Sequence, residues 1–410
     1  MSEHTKPAGP SRRTLLKAAG VGLAGAATGA AVIATAPSAS AATIVHPGLL
    51  HTSVDINRMA AEVGAGAQPW TNGWARLTAN AHAANTWKAT PLATVYRGTG
   101  TPENYGTLYN DIHAAYQNAL RYRVTGITAY GTCARDILNA WSGTLTKIDG
   151  TSDKFLAAGL YGYQFANAAE LIRSFSGFDL ARFQTMLRNV FYPMNDDFLR
   201  NHNGNVVTHY WANWDLCNIA SVLAIGVVCD DQAKIDQAIT YFKTGAGNGS
   251  INHAIPYVYD DQGLAQFQES GRDQGHATLG IGLLGTICEM AWNQGVDLYG
   301  LGNNRIMKCA EYVAKYNLGG TVPYTPYTWV YGSPGATTSV VQSVISETGR
   351  GEVRPIWELV YNHYARRRGL SVPYSAAFAA QVRPEGGGGD YGPNSGGYDQ
   401  LGFGTLTATR

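Results

Sequence analysis

The sequence predicts an all-α protein, an incomplete (α/α) toroid of paired helices with long aromatic loops. Apolar residues recur at three- and four-residue spacing along most of the 410 residues, which is the pattern of amphipathic helices. No sustained alternation of β-branched residues interrupts them before the C-terminal end. With 45% hydrophobic and only 14% charged residues, the chain is too apolar to be intrinsically disordered. A plain multi-helix bundle is the alternative architecture.

The first 41 residues are predicted to be a signal peptide and not part of the fold. Segment 11–17 (SRRTLLK) carries the paired arginines of a twin-arginine export signal. A weakly apolar stretch at 18–36 and an A-x-A cleavage site at 39–41 follow it. An uncleaved signal anchor is the alternative. We therefore expect a secreted or periplasmic protein with one domain at 42–410 and no membrane anchor after cleavage.

After a short extended leader at 46–50, the chain is predicted to be helix after helix. Gly, Pro, Asn and Asp separate the helices, for example at Gly126, Gly177 and Gly295. Long helices joined by short turns are typical of paired helices stacked in an arc or ring. The predicted helices are, in order, 55–64, 72–86, 104–122, 125–142, 152–175, 178–192, 207–229, 231–244, 272–294, 302–318 and 352–368.

Two long connections and a tail interrupt this pattern. The connection at 245–271 is polar and aromatic, and the one at 319–351 carries several tyrosines and a tryptophan. Long loops inside a compact domain are usually functional or disordered, and this density of rings argues against disorder. The Gly-rich tail at 384–410 is predicted to be a short β segment or a loosely packed extension.

Charge and cysteine content exclude several classes of protein. A net charge of +1 gives no electrostatic reason to expect binding to nucleic acid or an anionic membrane. The five cysteines are odd in number and lack the spacing of metal ligands. An exported chain of this length can form a disulfide but does not need one. We therefore expect no zinc site, no other cofactor and no nucleic-acid partner. We also expect a monomer.

The first candidate site is the start of the helix predicted at 207–229. His209 and Asn213 would lie one turn apart on one face of that helix, whereas Trp211, Trp214 and Asn218 lie on another. An asparagine there can contact a substrate, or it can simply pair polar groups between packed helices.

The second candidate site is segment 268–276 (QESGRDQGH). Arg272 and His276 are spaced to share one face at the start of an apolar helix, with Ser270 as a capping residue and Asp273 in the first turn. An arginine beside a helix N-terminus is well suited to hold a carboxylate. The alternatives are a structural ion pair for Arg272 and a core position for His276.

Two further groups are weaker candidates. His253 lies in the loop before that helix, and Tyr257 and Tyr259 follow it within six residues. Arg350 precedes the helix predicted at 352–368 and would supply another carboxylate contact, with a salt bridge at the helix start as the alternative.

Asparagine, arginine, histidine and tyrosine without a metal cluster or a nucleophile fit β-elimination at a uronic acid. Neutralising the carboxylate stabilises the enolate-like transition state that forms when the neighbouring C5 proton leaves. A histidine or tyrosine removes that proton, and another protonates the leaving glycosidic oxygen. Residue types and spacing alone do not single out this reaction.

The sequence also resembles the alginate-lyase superfamily of polysaccharide lyases, in the branch that acts on alginate or glucuronan. The resemblance rests on the export signal, on 46–52 (HPGLLHT), on 213–215 (NWD) and, most specifically, on 268–299. It implies an incomplete α/α toroid with a cleft for the uronan chain. It also implies that Asn213 contacts the substrate carboxylate. The histidine that follows this asparagine in relatives is replaced here by Trp214.

Relatives also place a catalytic tyrosine on the helix that here carries His276. The nearest substitutes by loop position are Tyr257, Tyr259, Tyr324 and Tyr327. We therefore predict a lyase that acts on a uronic-acid polysaccharide. The predicted catalytic residues are Asn213, His253, Arg272 and His276, and the predicted substrate-binding residues are Trp211, Trp214, Asn218, Tyr257, Tyr259, Gln268, Tyr324 and Arg350.

Two other functions stay open. A glycoside hydrolase on the same toroid would need two carboxylates across the scissile bond. Glu269, Asp273 and the pair at 260–261 are the candidates for that role. A non-catalytic carbohydrate-binding protein would use the tryptophans and loop tyrosines only to stack on sugars.

Overall fold

A computed structural model of the chain describes residues 43–98, 102–389 and 398–410. The predicted signal peptide at 1–41 lies outside the described residues. The folded unit runs from Ile44 to Arg410, and helices form most of it. The helices are α1 (Ser53–Gly64), α2 (Trp70–Thr78), α3 (Tyr105–Thr125), α4 (Thr128–Thr144), α5 (Lys154–Leu171), α6 (Leu180–Met186), α7 (Tyr192–Asn201), α8 (Ala212–Val228), α9 (Gln232–Thr244), α10 (Ile251–Ala254), α11 (Gln274–Asn293), α12 (Leu301–Asn317), α13 (Trp357–Tyr361), α14 (Pro373–Val382) and α15 (Gly404–Thr407).

The described residues also form three small two-stranded sheets. β1 (Thr94–Arg97) pairs in parallel with β2 (Lys147–Gly150), and β3 (Tyr257–Tyr259) pairs antiparallel with β4 (Leu264–Gln266). β5 (Tyr327–Ser333) and β6 (Ala336–Gln342) form an antiparallel hairpin in which Trp329 faces Val340. β6 is exposed along almost its whole length. It therefore has no buried apolar face, and its sequence lacks the alternation that identifies a strand.

The central helices run parallel to one another. In α5 and α8, Asn218 Nδ2 donates to the Phe155 carbonyl and Ser221 Oγ to the Ala158 carbonyl, both at 3.3 Å. These contacts advance in the same direction along both helices. Two further pairs of helices show contacts that advance in the same direction. Between α3 and α5, the contact Tyr105–Tyr161 is followed by His113–Gln164. Between α11 and α13, Gly282 approaches Ile356, just before α13, and Gly285 approaches Val360.

Nearly all residues of α5, α8 and α11 are buried. We call these three helices, together with α3 and α13, which run parallel to them, the inner helices. The Ala212 backbone N–H donates to Gln268 Oε1 at 3.0 Å, which joins the N-terminal ends of α8 and α11. The N-terminal ends of the inner helices therefore lie at one end of the unit. The intervening helices connect them as an outer layer, the arrangement of paired helices that the sequence predicts.

Close approach of α5 and α8 depends on glycine. A Cβ atom added to Gly159 would lie 2.4 Å from Cys217 Sγ, so no other residue fits there without a shift of the backbone. All five cysteines are free and buried, and burial raises the pKa of the Cys133 and Cys229 thiols to about 11. In the described part of the chain, no helix combines the length and apolarity that a membrane span requires.

Several predicted boundaries differ from the structure. The helix predicted at 352–368 begins only at Trp357 and continues beyond α13 as the π-helical segment Asn362–Arg367. The helix predicted at 72–86 ends at Thr78. The tail forms a single bridge between Gly387 and Gly402, followed by the short helix α15.

Candidate active site

A buried carboxylate, Glu269, lies where the N-terminal ends of α8 and α11 meet. Its two side-chain oxygens accept from the Asn213 side-chain amide at 2.9 and 3.0 Å, and Oε1 also accepts the Asn213 backbone N–H at 2.9 Å. Arg272 Nη1 donates to Oε2 at 2.8 Å. Because Glu269 is 0% exposed, its charge must be compensated by these partners. Glu269 therefore fixes Asn213 and Arg272 relative to each other.

A second carboxylate, Asp273, orients the His276 ring. Asp273 caps α11 by accepting the His276 backbone N–H at 2.7 Å, and its Oδ2 contacts His276 Nδ1 at 2.7 Å. Burial acts to raise the pKa of Asp273, but the hydrogen bonds from His276 and the charges of His276 and Arg272 outweigh it and hold that pKa below its ordinary value. The carboxylate favours a proton on Nδ1 and leaves Nε2 free to accept another.

The side chains of Arg272 and His276 are both partly exposed to solvent. The Arg272 side chain is 27% exposed and the His276 side chain 26%. We call the whole group the Glu269 cluster, which consists of Asn213, Glu269, Arg272, Asp273 and His276.

Aromatic rings hold Arg272 from the other side. Arg272 Cζ lies 5.3 Å from the Trp211 ring centroid, which is within cation–π distance. Trp211 stacks on Trp329 at 4.5 Å, and Trp329 stacks on Tyr331 at 4.2 Å. The Trp329 indole N–H donates to the His209 carbonyl at 2.9 Å, which fastens the hairpin to the start of α8. A row of stacked aromatic rings therefore extends from Arg272 through Trp211 to the side chains of β5.

Tyr327 is the tyrosine linked most directly to the cluster. Gln268 Nε2 donates to its hydroxyl at 2.9 Å, while Gln268 Oε1 accepts from the first residue of α8. Burial raises the pKa of Tyr327, and the hydrogen bond from Gln268 opposes that rise only in part. At neutral pH the hydroxyl therefore keeps its proton and can donate it.

The arrangement places a carboxylate-binding arginine, a histidine with a free ring nitrogen and a protonated tyrosine around one buried carboxylate. Such a set can neutralise a substrate carboxylate, remove a carbon-bound proton and protonate a leaving oxygen. Among the described residues, no group of three or more histidine, cysteine, aspartate or glutamate side chains is arranged to hold a metal ion.

A family model described as Alginate lyase matches residues 75–322, which is more than half of the chain. The chain belongs to the alginate lyase family. It is therefore a polysaccharide lyase that acts on polyuronates, and the family resemblance noted in the sequence is confirmed.

Solved structures share the fold of this lyase at low sequence identity. Alginate lyase A1-III from Sphingomonas species A1 matches with a TM-score of 0.59 and 14% identity, over 90% of this chain and 98% of that chain. A variant of alginate lyase A1-III complexed with a tetrasaccharide matches with a TM-score of 0.59 and 16% identity, over 90% and 97% of the two chains. An alginate lyase from Bacteroides ovatus matches with a TM-score of 0.52 and 13% identity, over 83% and 96%. No match was found among curated proteins. The predicted α/α toroid is confirmed.

The structure of the lyase brings together three of the four predicted catalytic residues but not His253. His253 is exposed on α10, and its Nδ1 contacts the Gly247 carbonyl and Ser250 Oγ, both at 3.0 Å. Within the described residues, no hydrogen bond or ring contact joins His253 to the Glu269 cluster. No contact in the described part of the chain therefore supports its predicted catalytic role.

Two of the predicted substrate-binding residues, Trp211 and Gln268, contact the cluster or its support. Trp214 instead packs on Tyr210 with ring centroids 4.5 Å apart. Asn218 is completely buried, and its Oδ1 accepts from Asn195 Nδ2 at 2.7 Å. Asn218 therefore lies in the helix–helix core, which fits its alternative interpretation as a structural asparagine.

The predicted tyrosines Tyr257, Tyr259 and Tyr324 lie beside the hairpin, and the Tyr324 hydroxyl also approaches Gly271, where an added Cβ atom would lie 2.2 Å from it. Tyr257 donates to the Pro326 carbonyl at 3.2 Å, and Tyr324 donates to the Gln342 carbonyl at 3.0 Å. Tyr259 donates to Gln266 Oε1 at 2.8 Å. The Tyr257 bond and a 2.8 Å contact between the Tyr259 hydroxyl and Thr325 Oγ1 fasten the connection at 319–351 to β3.

Arg350 is also fully engaged in local contacts. Its guanidinium donates to the carbonyls of Tyr316 and Gly320 at 2.9 and 2.8 Å and stacks 3.9 Å from the Tyr316 ring centroid. These contacts agree with the alternative interpretation of a structural arginine.

Helix boundaries correct two details of the predicted geometry. Because α8 begins at Ala212, His209 lies in the preceding turn and does not share a helix face with Asn213. Its Nδ1 accepts the Gly332 backbone N–H at 2.9 Å instead. Asp273 caps α11 in place of Ser270, so Arg272 lies just before the helix.

Glu269 is predicted from the sequence only as a candidate hydrolase carboxylate and not as a residue of a lyase site. Its contact with Asn213 spans 56 positions, and nothing local in the sequence reveals it. The only local signal was its position three residues before Arg272, which the ion pair uses.

Proposed function

We propose that the protein cleaves a uronic-acid polysaccharide, alginate or glucuronan, by β-elimination at the Glu269 cluster. The observation that carries the proposal is the convergence of Asn213 and Arg272 on one buried carboxylate, next to a histidine oriented by Asp273. Arg272, which is partly exposed, would hold and neutralise the carboxylate of the reacting sugar together with Asn213. This neutralisation makes the neighbouring C5 proton acidic enough to remove.

His276 is the base that the contacts favour. Its Nε2 would take the C5 proton, the C4–O glycosidic bond would break, and a double bond would form between C4 and C5. The leaving oxygen needs a proton, for which the Tyr327 hydroxyl is the nearest linked donor. Asp273 would stabilise the positively charged ring that forms at His276.

The family supports alginate as the first substrate to test. One relative of the same fold was crystallised with a tetrasaccharide, which agrees with an extended chain as the ligand. Glucuronan has the same C5 carboxylate chemistry and is the alternative substrate.

A substrate panel tests this function. Alginate, polymannuronate, polyguluronate, glucuronan and glycosaminoglycans are each incubated with the purified mature protein, and the ultraviolet absorbance of the unsaturated product is followed. The proposal predicts rising absorbance with at least one uronan. New reducing ends without absorbance would instead indicate hydrolysis, and binding without turnover would indicate a non-catalytic protein.

We also propose export through the twin-arginine route, on the basis of segment 11–17 and the cleavage site at 39–41. N-terminal sequencing of the protein from culture medium or periplasm tests it. Processing after Ala41 that is lost when both arginines, Arg12 and Arg13, are replaced by lysine is the expected result.

A further inference from the structure

Arg97 is a buried arginine that forms no ion pair within the described residues, although the charge of Asp153 is near enough to act on it. It ends β1 and is only 6% exposed. Within the described residues, no carboxylate forms an ion pair with its guanidinium, and Nη1 is buried without a hydrogen bond. Arginine is almost never buried unless it is paired, because removing an unpaired charge from water is costly. A residue of this kind needs an explanation that packing alone does not give.

Two tyrosine rings surround this guanidinium. Arg97 Cζ lies 4.8 Å from the ring centroid of Tyr105 and 5.8 Å from that of Tyr161. The Tyr161 hydroxyl is also buried without a hydrogen-bond partner. Two unsatisfied donors, one of them charged, therefore lie side by side. We call Arg97, Tyr105 and Tyr161 the Arg97 group.

The Arg97 group lies at the same end of the inner helices as the Glu269 cluster. Burial raises the pKa of the Cys217 thiol, and the positive charge of Arg97 is close enough to act against that rise. Cys217 follows Asn213 by four residues in α8, so the two side chains lie on one face of the helix. One helical turn rises about 5.4 Å. Arg97 is therefore close to the reacting end of α8.

An aromatic surface continues outward from the Arg97 group. Tyr109 stands 5.8 Å from Tyr105 and 6.0 Å from Tyr161, measured between ring centroids. Tyr398 stacks on Tyr109 at 4.5 Å. Flat rings beside a cation are a suitable surface for a sugar ring that carries a carboxylate.

We propose that Arg97 binds the carboxylate of a second uronate residue of the substrate, adjacent to the sugar held at Arg272, and that the Tyr161 hydroxyl donates to the same carboxylate. This inference rests on the proposed function, because a polyuronate carries one carboxylate on every sugar. The unpaired donors match the two oxygens that such a group supplies. The site would make the enzyme select chains in which consecutive sugars are charged.

Replacing Arg97 distinguishes a structural role from a role in binding, because the two roles predict opposite effects on stability. If cation–π contacts with the tyrosines were its purpose, Arg97→Met would lower the melting temperature. If Arg97 is retained for binding, replacing an unpaired buried charge with an apolar chain of similar length leaves stability unchanged or raises it. Tyr161→Phe, which removes only an unpaired hydroxyl, should behave in the same way.

The experiment measures affinity and melting temperature for the same preparations. Calorimetric titration with tetrameric alginate oligouronates compares the wild type with Arg97→Met and Tyr161→Phe. Arg121→Met is the matched control, because Arg121 also stacks on a tyrosine, Tyr130 at 3.9 Å, but donates to the Ala83 carbonyl near the other end of α3. A carboxyl-reduced tetramer tests whether the ligand's charge is what Arg97 recognises.

Arg97→Met should weaken binding of the charged tetramer roughly 10- to 100-fold, the usual effect of losing a hydrogen bond to a charged group. Binding of the reduced tetramer should not change, and Arg121→Met should keep wild-type affinity. Wild-type affinity in Arg97→Met, with or without a lower melting temperature, would overturn the proposal while leaving the lyase function intact. If the wild-type protein binds no oligouronate and produces no unsaturated product, the proposed function fails as well.

Discussion

Replacing Glu269 with glutamine tests the centre of the site directly. The glutamine has the same shape, but one acceptor oxygen becomes an NH₂ group that faces the donors of Asn213 or Arg272. Losing a charge-assisted hydrogen bond costs about 1.5–3 kcal/mol. Because Arg272 is 27% exposed, water replaces part of what it loses, so we expect a loss of about 2 kcal/mol. The melting temperature should fall by a few degrees.

The effect on catalysis should be much larger than the effect on stability. Asn213 and Arg272 both lose the anchor that positions them for the substrate carboxylate. Removing one preorganised donor to a developing negative charge typically costs about 10²–10³-fold in kcat, so Glu269→Gln should lower kcat at least 10²-fold. The assay follows product absorbance on the best uronan at saturating concentration, with the folded fraction measured by circular dichroism.

Glu289 supplies the matched control. It lies near the other end of α11 and is 3% exposed in its side chain, with Arg367 donating to its two oxygens at 2.6 and 2.9 Å. Glu289→Gln should lower the melting temperature by a similar amount and leave turnover per folded molecule unchanged. The reasoning is refuted if Glu269→Gln keeps wild-type kcat, or if both variants lose turnover only in proportion to unfolding.

Four further predictions concern Arg272, the two histidines, the need for a metal and the pH dependence of stability. Arg272→Lys keeps the charge but loses the fork that can bind a carboxylate through two N–H groups, so kcat/KM measured by absorbance should fall steeply with little change in melting temperature. His276→Ala should lose about 10²–10⁴-fold in kcat, whereas His253→Ala should keep most of it; equal losses would contradict the assignment of the base. A chelator should leave the rate of the purified enzyme unchanged, and a loss restored by calcium or zinc would show a metal requirement. Burial and the charge of Glu358 hold the pKa of Glu385 well above its ordinary value near 4.5, so the folded state favours the protonated carboxyl. The contribution of Glu385 to stability is therefore fully present below its ordinary pKa and is lost as the pH rises towards its folded-state pKa. Thermal melts across pH 4–9 should therefore show a decline that Glu385→Gln reduces.

Helix periodicity predicted the toroid because the burial of the inner helices requires apolar residues along them. α5, α8 and α11 are buried on nearly every side, so long apolar runs between turn residues were a reliable signal. Boundaries were less predictable. At α11, Ser270 and Asp273 are both good capping residues, and the structure shows that Asp273, with an extended backbone at φ of −169°, is the cap.

The site could be predicted only where its residues are neighbours in sequence. Gln268, Arg272 and His276 fall within nine positions, so their spacing identified them. The Asn213–Glu269 contact and the Gln268–Tyr327 bond join segments more than fifty positions apart. The first exists because the N-terminal ends of α8 and α11 meet, and the second because β5 packs at the same place. No local pattern encodes either contact.

The net charge of +1 gives no electrostatic reason to expect nucleic acid or an anionic membrane as a ligand, yet a polyuronate is also a polyanion. The difference lies in where the positive charge is placed. Each inner helix directs the positive end of its dipole to the same end of the fold, and Arg272 and Arg97 lie there as well. Arg97 is buried and Arg272 is partly buried, so their fields act on a bound carboxylate with less screening than those of fully exposed charges. A nearly neutral protein can therefore bind a negatively charged chain through a few cations placed at one end of the fold, which a count of charged residues does not reveal.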